Sequence, residues 1–473
     1  MSRQMKILVA IANYGTGNDK YLSRVLDEFR AMEYDVDLVV MTNIAKNLAS
    51  DVEVVVGLPS KNPKSLPFAH KKIFADRLEL YDLFVYTEDD ILITGRNMKA
   101  LLQASSVLRN DELLAFVRSE CDAQGNIYYP DVHAHYHWDP ASASGKDGYT
   151  FARFTNLHSG CYVLTREQLR RAIASGGFVV PPHEGLYEPL ETAATDPFTQ
   201  CGFQKLTCVS HIEDFIVQHL SNRYAGRGSL PANDFCAQLE ALLSVSQNGK
   251  PRSPLFPVDT FVLHQRWSKS YYEPAQEELL SLVPADVKDV LSIGCGWGAT
   301  EKVLIEKGVQ VKAIPLDSVI AVNAESRGVS IIYGDLESAR KQLENHRFDC
   351  LLLANVLHLV PDPVRLLSSY AELLAPQGCV IASAPNLPWL RKISRSIRFR
   401  GHIANPGKYD VSGMHSTTGR VIRRWFRDAG LKLKAISYVG ADEKRWTNSF
   451  SLGLAKSLLG SNVNVVGVKA RQS

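Results

Sequence analysis

Val290-Leu291-Ser292-Ile293-Gly294-Cys295-Gly296-Trp297-Gly298 is an apolar run that breaks into glycines at every second position and then meets the helix-forming Ala299-Thr300-Glu301. A short strand that feeds a glycine-spaced turn and a helix is how a parallel sheet receives an adenosine-bearing ligand. The glycines let the backbone approach closely, and the helix start offers unpaired N–H groups. The run also satisfies the looser G-x-G-x-x-G/A dinucleotide pattern through Gly294, Gly296 and Ala299, so the sequence downstream has to decide.

Downstream, strand and helix patterns alternate regularly. A second strand is expected over residues 309–316, ending at Asp317, then a helix toward Gly328, and a third strand over 330–333 that ends at Gly334-Asp335. The fourth covers 348–353 and the fifth 379–383. A helix over 418–429, closed by Gly430, is followed by two strands, 431–439 and 462–469, with no long helical pattern between them. The fold class is α/β, and this half is a doubly wound sheet that ends in an antiparallel hairpin, unlike the common dinucleotide layout.

The C-terminal half resembles the class I S-adenosylmethionine-dependent methyltransferases. The resemblance rests on LSIGCGWG from Leu291, YGDLE from Tyr333, FDCLLLANVLHLVPDP from Phe348, LLAPQGCVIASAPN from Leu373 and YDVSGMHSTTGRVIRRWFRDAGL from Tyr409. It implies that Gly294, Gly296 and Gly298 surround the methionine part of S-adenosylmethionine, that Asp335 faces the adenine, and that Asn355 and His358 line the methyl-transfer site. Two positions depart from the family: Ser292 stands where Asp or Glu is usual, and Pro315 where an acidic ribose ligand is usual. Asp317, two residues later on the same strand face, is the candidate replacement, because a ribose is held best by a charge-assisted acceptor. In the resembling family a His in the stretch of His415 lies near the acceptor pocket and suits removal of a hydroxyl proton. The other reading of His415 is a hydrogen-bonded structural ring that caps the next helix. The stretch 390–400 alternates apolar and basic groups, as a lid or a surface for an anionic substrate or membrane does, and equally as a solvated helix face does.

The 473 residues suit two or three domains. A formal net charge of +3 does not point to nucleic acid as the main partner. No apolar stretch reaches the length of a membrane span, and the N-terminus runs straight into a strand, which predicts a cytoplasmic chain; a peripheral place at the inner face of a membrane is the alternative. Eight cysteines lack C-x-x-C spacing and read as reduced core thiols.

The first half opens with an apolar strand over 7–11, a helix with Leu22, Val25, Leu26 and Phe29 on one face, and a second strand over 36–41. This is the start of an α/β nucleotide-binding sheet. Glu88, Asp89 and Asp90 then lie between apolar runs. Three adjacent carboxylates are costly to bury without a counter-ion, and hard oxygen ligands suit Mg2+ or Mn2+ bridging a nucleotide-sugar diphosphate. A solvated strand end is the plainer reading.

This half resembles a GT-A-type glycosyltransferase over about residues 5 to 225. The motifs are Glu88-Asp89-Asp90 in the place of D-x-D, LPFAHKKIF from Leu66, SGCYVLTREQL from Ser159 and HIEDFIVQHLSNRY from His211. The resemblance implies Asp90 as the main metal ligand with Asp89 and Glu88 beside it and His219 as a further ligand. It offers His70, Lys71 and Lys72 to the diphosphate, and Asp214 or Glu213 as the base for the acceptor hydroxyl; the other reading of Asp214 is a helix cap. His133, His135 and His137 share one face only if their segment is a strand; the small polar residues around them favour an exposed loop over a zinc site.

The expected domains are 1–225, a connector over 226–266, and 267–473. Together they describe a bifunctional transferase: a nucleotide-sugar donor gives its sugar to a glycan acceptor, a lipid-linked one among the candidates, and a sugar hydroxyl is then O-methylated. The alternatives are a glycosyltransferase whose second domain only binds or scaffolds, and a methyltransferase whose first half only binds carbohydrate.

Overall fold

The computed structural model describes residues 4–158, 160–248, 255–256, 269–387, 409–439 and 461–469. The chain divides into two compact units, Met1–His133 with His137–Gly249, and Lys250–Ser473 with Ala134–Tyr136. The basic stretch 390–400 lies outside the described residues.

In the first unit, β1 (Lys6–Asn13) is apolar throughout and buried on both faces, as a central parallel strand must be. Helix α1 (Asp19–Arg30) buries Leu22, Val25, Leu26 and Phe29 at helical spacing, with Asp19 in its first turn and Arg30 in its last matching the helix dipole. The sheet is completed by β2 (Asp35–Thr42), β3 (Val52–Val56), β4 (Leu83–Glu88) and β5 (Cys161–Thr165), in the order β5-β4-β1-β2-β3, with only β5 antiparallel. The chain leaves β1 toward β2, while β4 packs on its other side. The order therefore reverses between β1 and β4, and the crevice at their carboxyl ends is where such sheets bind ligands. Asn13 and Glu88 end those two strands.

Helix α2 (Ala232–Asn248) takes up 17 residues of the expected connector. It buries Phe235, Leu239 and Leu242, and the Phe235 ring stacks on Tyr129 with centroids 3.9 Å apart. These residues thus belong to the first unit, because their apolar face needs its core.

The second unit is built on β6 (Asp289–Cys295), β7 (Gln310–Pro315), β8 (Ser330–Ile331), β9 (Phe348–Leu353), β10 (Leu374–Pro385), β11 (Leu431–Val439) and β12 (Asn462–Lys469). Their order is β8-β7-β6-β9-β10-β12-β11, with β12 antiparallel to both neighbours. Alternate residues feed opposite layers. Leu291, Ile293, Leu351, Leu353 and Val380 enter one core; Val290, Cys350, Leu352 and Ile381 enter the other. The sheet is therefore covered on both faces and doubly wound, with the terminal hairpin that the sequence predicts.

Candidate functional site

The glycine turn of the second unit sits at the carboxyl end of β6, the central strand. Gly298 is left-handed at φ +86° and precedes helix α3 (Ala299–Glu306). A side chain on Gly296 would collide with the carbonyl oxygen of Tyr271, which accepts the Trp297 N–H at 2.9 Å. Glycine is required here by the chain's own close approach.

Beneath the turn lies a set of charged groups. Ser292 donates its hydroxyl to Glu301 Oε1 at 2.6 Å, and both side chains are buried. Lys269 pairs with Glu273. Burial pushes the Glu273 carboxyl above the usual range, opposed by the Lys269 charge, and its neighbours include Glu301 and a bond to Asn355. The Trp297 indole N–H donates to the Glu273 carbonyl at 2.7 Å. Sequence reading missed Lys269, Glu273 and Glu301. The signals were the i,i+4 spacing of the first two and the placement of Glu301 one turn before Leu304 on the buried face of α3.

Asn355, just past β9, is left-handed at φ +56°, a conformation Asn tolerates better than most residues. Its Oδ1 accepts from Ser383 Oγ at 3.1 Å and Asn462 Nδ2 at 3.0 Å. Asp317 is buried after β7, and its Oδ1 accepts the N–H groups of Val319 and Ile320 at 2.7 and 2.8 Å. One oxygen is thus committed to the turn. Asp335 is the exposed N-cap of helix α4 (Leu336–Gln342), and the Glu337 and Ser338 N–H groups at 2.9 and 2.7 Å hold its carboxyl below the usual range. The structure therefore gives Asp335 a capping role.

One of the two histidines expected at the acceptor is corrected. His358 is fully buried in a short 3-10 turn, so it presents no surface to a substrate. His415 Nε2 lies 3.0 and 3.1 Å from the carbonyl oxygens of Val360 and Pro361, and its ring stacks on Tyr409. Nε2 facing two carbonyls carries the ring proton and fixes the ring, which leaves Nδ1 as the acceptor nitrogen. This geometry is compatible with the structural reading and with proton removal through Nδ1.

S-adenosylmethionine fits the residues present. A glycine cradle at a helix start, a buried Lys269 with two carboxylates beside it, and Asp317 at the end of the next strand together suit a zwitterionic nucleoside.

In the first unit the switch-point crevice holds Asn13 and Asp89. Asp89 Oδ2 accepts from Asn13 Nδ2, and Oδ1 from Asn18 Nδ2, each at 2.7 Å. Asp90 Oδ2 lies 3.1 Å from His219 Nε2, and His219 Nδ1 lies 2.5 Å from Glu120 Oε1. Burial pulls the His219 pKa down, but the Asp90 and Glu120 bonds outweigh it and raise it to about 9. Burial likewise lifts Glu88 to about 7 and Asp89 to about 6, moderated by Arg118 and Asn18 respectively. Asp90 stays below its usual range because the His219 bond overcomes burial.

This arrangement corrects the metal assignment. Asp89 is held by two amides and Asp90 by a protonated imidazole, while Glu88 has the Arg118 charge as its main compensation. Glu88, Asp89, Asp90 and His219 do not form a donor set, and among the described residues no three His, Cys, Asp or Glu side chains are grouped to hold a metal ion. The first unit thus balances these carboxylates with its own donors and cations. Glu120 and Arg118 are the members sequence reading missed; their alternation on one strand was the available signal.

His70 and Lys71 are corrected as well. His70 is fully buried, with Nε2 2.5 Å from the Tyr162 hydroxyl and its ring stacked on Tyr86. Lys71 is 2% exposed and paired with the buried Asp196. Both groups serve the core and cannot reach a diphosphate.

Asp214 forms an ion pair with Arg96 and, with Glu213, lies in the 3-10 turn before the strand Ile216–His219. His219 ends that strand, three residues or roughly 10 Å from Ile216. The proposed acceptor base is therefore at the other end of the strand from Asp90. His133 Nδ1 lies 2.8 Å from the Pro130 carbonyl oxygen, in a turn ahead of the strand Trp138–Lys146, so the histidine-rich stretch is a loop as expected.

Residues 265–436 match a family model described as a methyltransferase domain. The chain is 31% identical over 113 residues to a ubiquinone biosynthesis O-methyltransferase of Cereibacter sphaeroides, covering 23% of this chain and 46% of that protein. It is 33% identical over 105 residues to the protein of the same description in Coxiella burnetii, covering 21% and 44%. The chain thus spans about half the length of the curated relatives it matches. Among solved structures, it is similar to a SAM dependent methyltransferase from Archaeoglobus fulgidus, with 15% identity, 41% of this chain and 92% of that one covered, and a TM-score of 0.31. A second, from Mesorhizobium loti, shows 18% identity, 40% and 95% coverage and a TM-score of 0.30. The glycine turn at the end of β6 thus lies within the residues that match the methyltransferase-domain model.

Proposed function

We propose that the second unit transfers a methyl group from S-adenosylmethionine to a hydroxyl oxygen. The observation that carries this is the glycine turn of Gly294, Gly296 and Gly298, set at the end of the central strand within the matched domain and backed by Lys269, Glu273 and Glu301. S-adenosylmethionine, when bound, supplies an electrophilic methyl on a sulfonium. The chain's part is to hold the nucleoside at the turn and on Asp317, and to exclude water. His358 is committed to the core, and His415, held through Nε2 by two carbonyls, keeps Nδ1 to take the acceptor proton.

For the first unit we propose binding of a nucleotide-sugar at the crevice between β1 and β4, with transfer of its sugar to a glycan as the activity this binding serves. What supports it is the polar set Asn13, Asn18, Asp89 and Asp90 at the switch point of a parallel sheet. No step is routed through a metal. The linked units would then build and O-methylate the same product, the tether raising the local concentration of one product for the next site.

The test is a product comparison by intact mass with the full chain, nucleotide-sugars and glycan acceptors, with and without S-adenosylmethionine, in buffer and in chelator. The expected result is sugar addition that persists in chelator and methylation that requires S-adenosylmethionine. Absence of methylation on every acceptor, together with no binding of S-adenosylhomocysteine, would refute the reading of the second unit. Sugar addition abolished by chelator would restore the metal.

A further inference from the structure

Glu301 is a buried carboxylate, 5% exposed, on the first turn of the helix that follows the glycine turn. Ser292, on the strand that precedes that turn, gives it a neutral hydrogen bond at 2.6 Å, and the buried Cys295 thiol gives it a second, weaker one. Such neutral donors do not offset the desolvation of a carboxylate. The neighbouring cation, Lys269, is already paired with Glu273. A buried carboxylate and a largely buried one, the Glu273 side chain being 12% exposed, thus have one ammonium beside them, and the cluster lies directly under the turn: the Trp297 indole bonds the Glu273 backbone, and Tyr271, between Lys269 and Glu273 in sequence, closes over Gly296.

A ligand that completes this cluster brings a positive group to the carboxylates and a negative one to Lys269. We propose that Glu301, with Glu273, receives the α-ammonium of a nucleoside's amino-acid end, and that Lys269 receives its carboxylate. Ser292 has a specific part. Its short side chain leaves the space at the strand end that the Glu301 carboxylate fills from the opposite side of the turn, and its hydroxyl fixes the carboxylate's orientation. The inference rests on the reading of the second unit as an S-adenosylmethionine site, and assigns the charged groups that select the ligand there.

The test is calorimetric titration of the full chain with two ligands, S-adenosylhomocysteine and 5′-methylthioadenosine, which share the nucleoside and thioether but differ in the amino-acid end. Glu301→Gln keeps an oxygen for the Ser292 hydroxyl and removes the charge. A charge-assisted bond is stronger than a neutral one, so affinity for S-adenosylhomocysteine should fall by about fivefold to tenfold, with that for methylthioadenosine unchanged. Lys269→Met should show the same split. A double variant, Ser292→Asp with Glu301→Gln, returns a carboxylate to the site from the strand side and should recover most of the loss. Equal weakening of both ligands, or no weakening of either, overturns the assignment, as does a double variant no better than Glu301→Gln. If the unaltered chain binds neither ligand, the S-adenosylmethionine reading itself fails, an outcome distinct from these.

Discussion

Replacing His219 by Gln should make the first unit's stability lose a pH-dependent part. The ring lies between two buried carboxylates, Asp90 at 3.1 Å and Glu120 at 2.5 Å, and Arg118 adds an opposing positive charge. Its pKa is lifted from 6.5 to about 9. At about 1.4 kcal/mol for each factor of ten in proton affinity, the charged ring contributes about 3 kcal/mol. A raised pKa in the folded state means that this contribution is complete below the unfolded value of 6.5. It fades as the pH climbs through about 9, where folded and unfolded rings are both neutral. A glutamine can donate one hydrogen bond but no charge, so the variant should be about 3 kcal/mol less stable at pH 6, with the difference shrinking toward zero near pH 10.

Because the chain has two units, global unfolding is not a two-state measurement. Hydrogen exchange in graded urea, read on peptides from the first unit, isolates the relevant transition. A deficit of similar size at pH 6 and pH 10 would refute the charge argument and reduce His219 to a packing residue. A variant that becomes more stable at pH 6 would also refute it, since that would show the ion cluster costs more to desolvate than it returns.

Two other outcomes follow from the same geometry. Gly296→Ala places a methyl group against the Tyr271 carbonyl, which is backbone and cannot swing away; the second unit should lose at least about 1–3 kcal/mol in thermal unfolding, together with its binding of S-adenosylhomocysteine. Lys71→Met strands the buried Asp196 and should cost about 3–5 kcal/mol in the first unit, while nucleotide-sugar affinity measured on the folded fraction stays unchanged; a selective loss of that affinity would return Lys71 to the diphosphate.

Much of the second unit was legible because its signals are local and repeat. The strands expected at residues 348–353, 431–439 and 462–469 coincide with β9, β11 and β12, and the left-handed Gly430 follows the helix Gly419–Asp428. The fifth strand was read too short: β10 begins at Leu374, where the polar Pro376-Gln377-Gly378 interrupts the apolar pattern without ending the strand. The charged cluster was hidden for another reason. Lys269, Glu273 and Glu301 come from two segments separated by the whole of β6, and nothing in their spacing reports that tertiary packing brings them under one turn.

Adjacency misled the reading of the first unit in the opposite way. Three consecutive carboxylates look like one donor set, yet neighbouring residues leave a strand on opposite sides, so closeness in sequence does not make their oxygens converge. Here the chain turns after Glu88. Asp89 is claimed by amides from β1 and the start of α1, and Asp90 by an imidazole from the strand Ile216–His219. The same rule in reverse moves Asp214 away: only five positions separate it from His219, but the strand between them is extended and carries it toward the start of the helix Gly95–Ser105, where Arg96 meets it and the Asn97 side chain bonds its carbonyl. Which carboxylates act together is thus set by which elements cross at the switch point, and the residues to alter first in a test of the proposed sugar-nucleotide binding are Asn13 and Asn18.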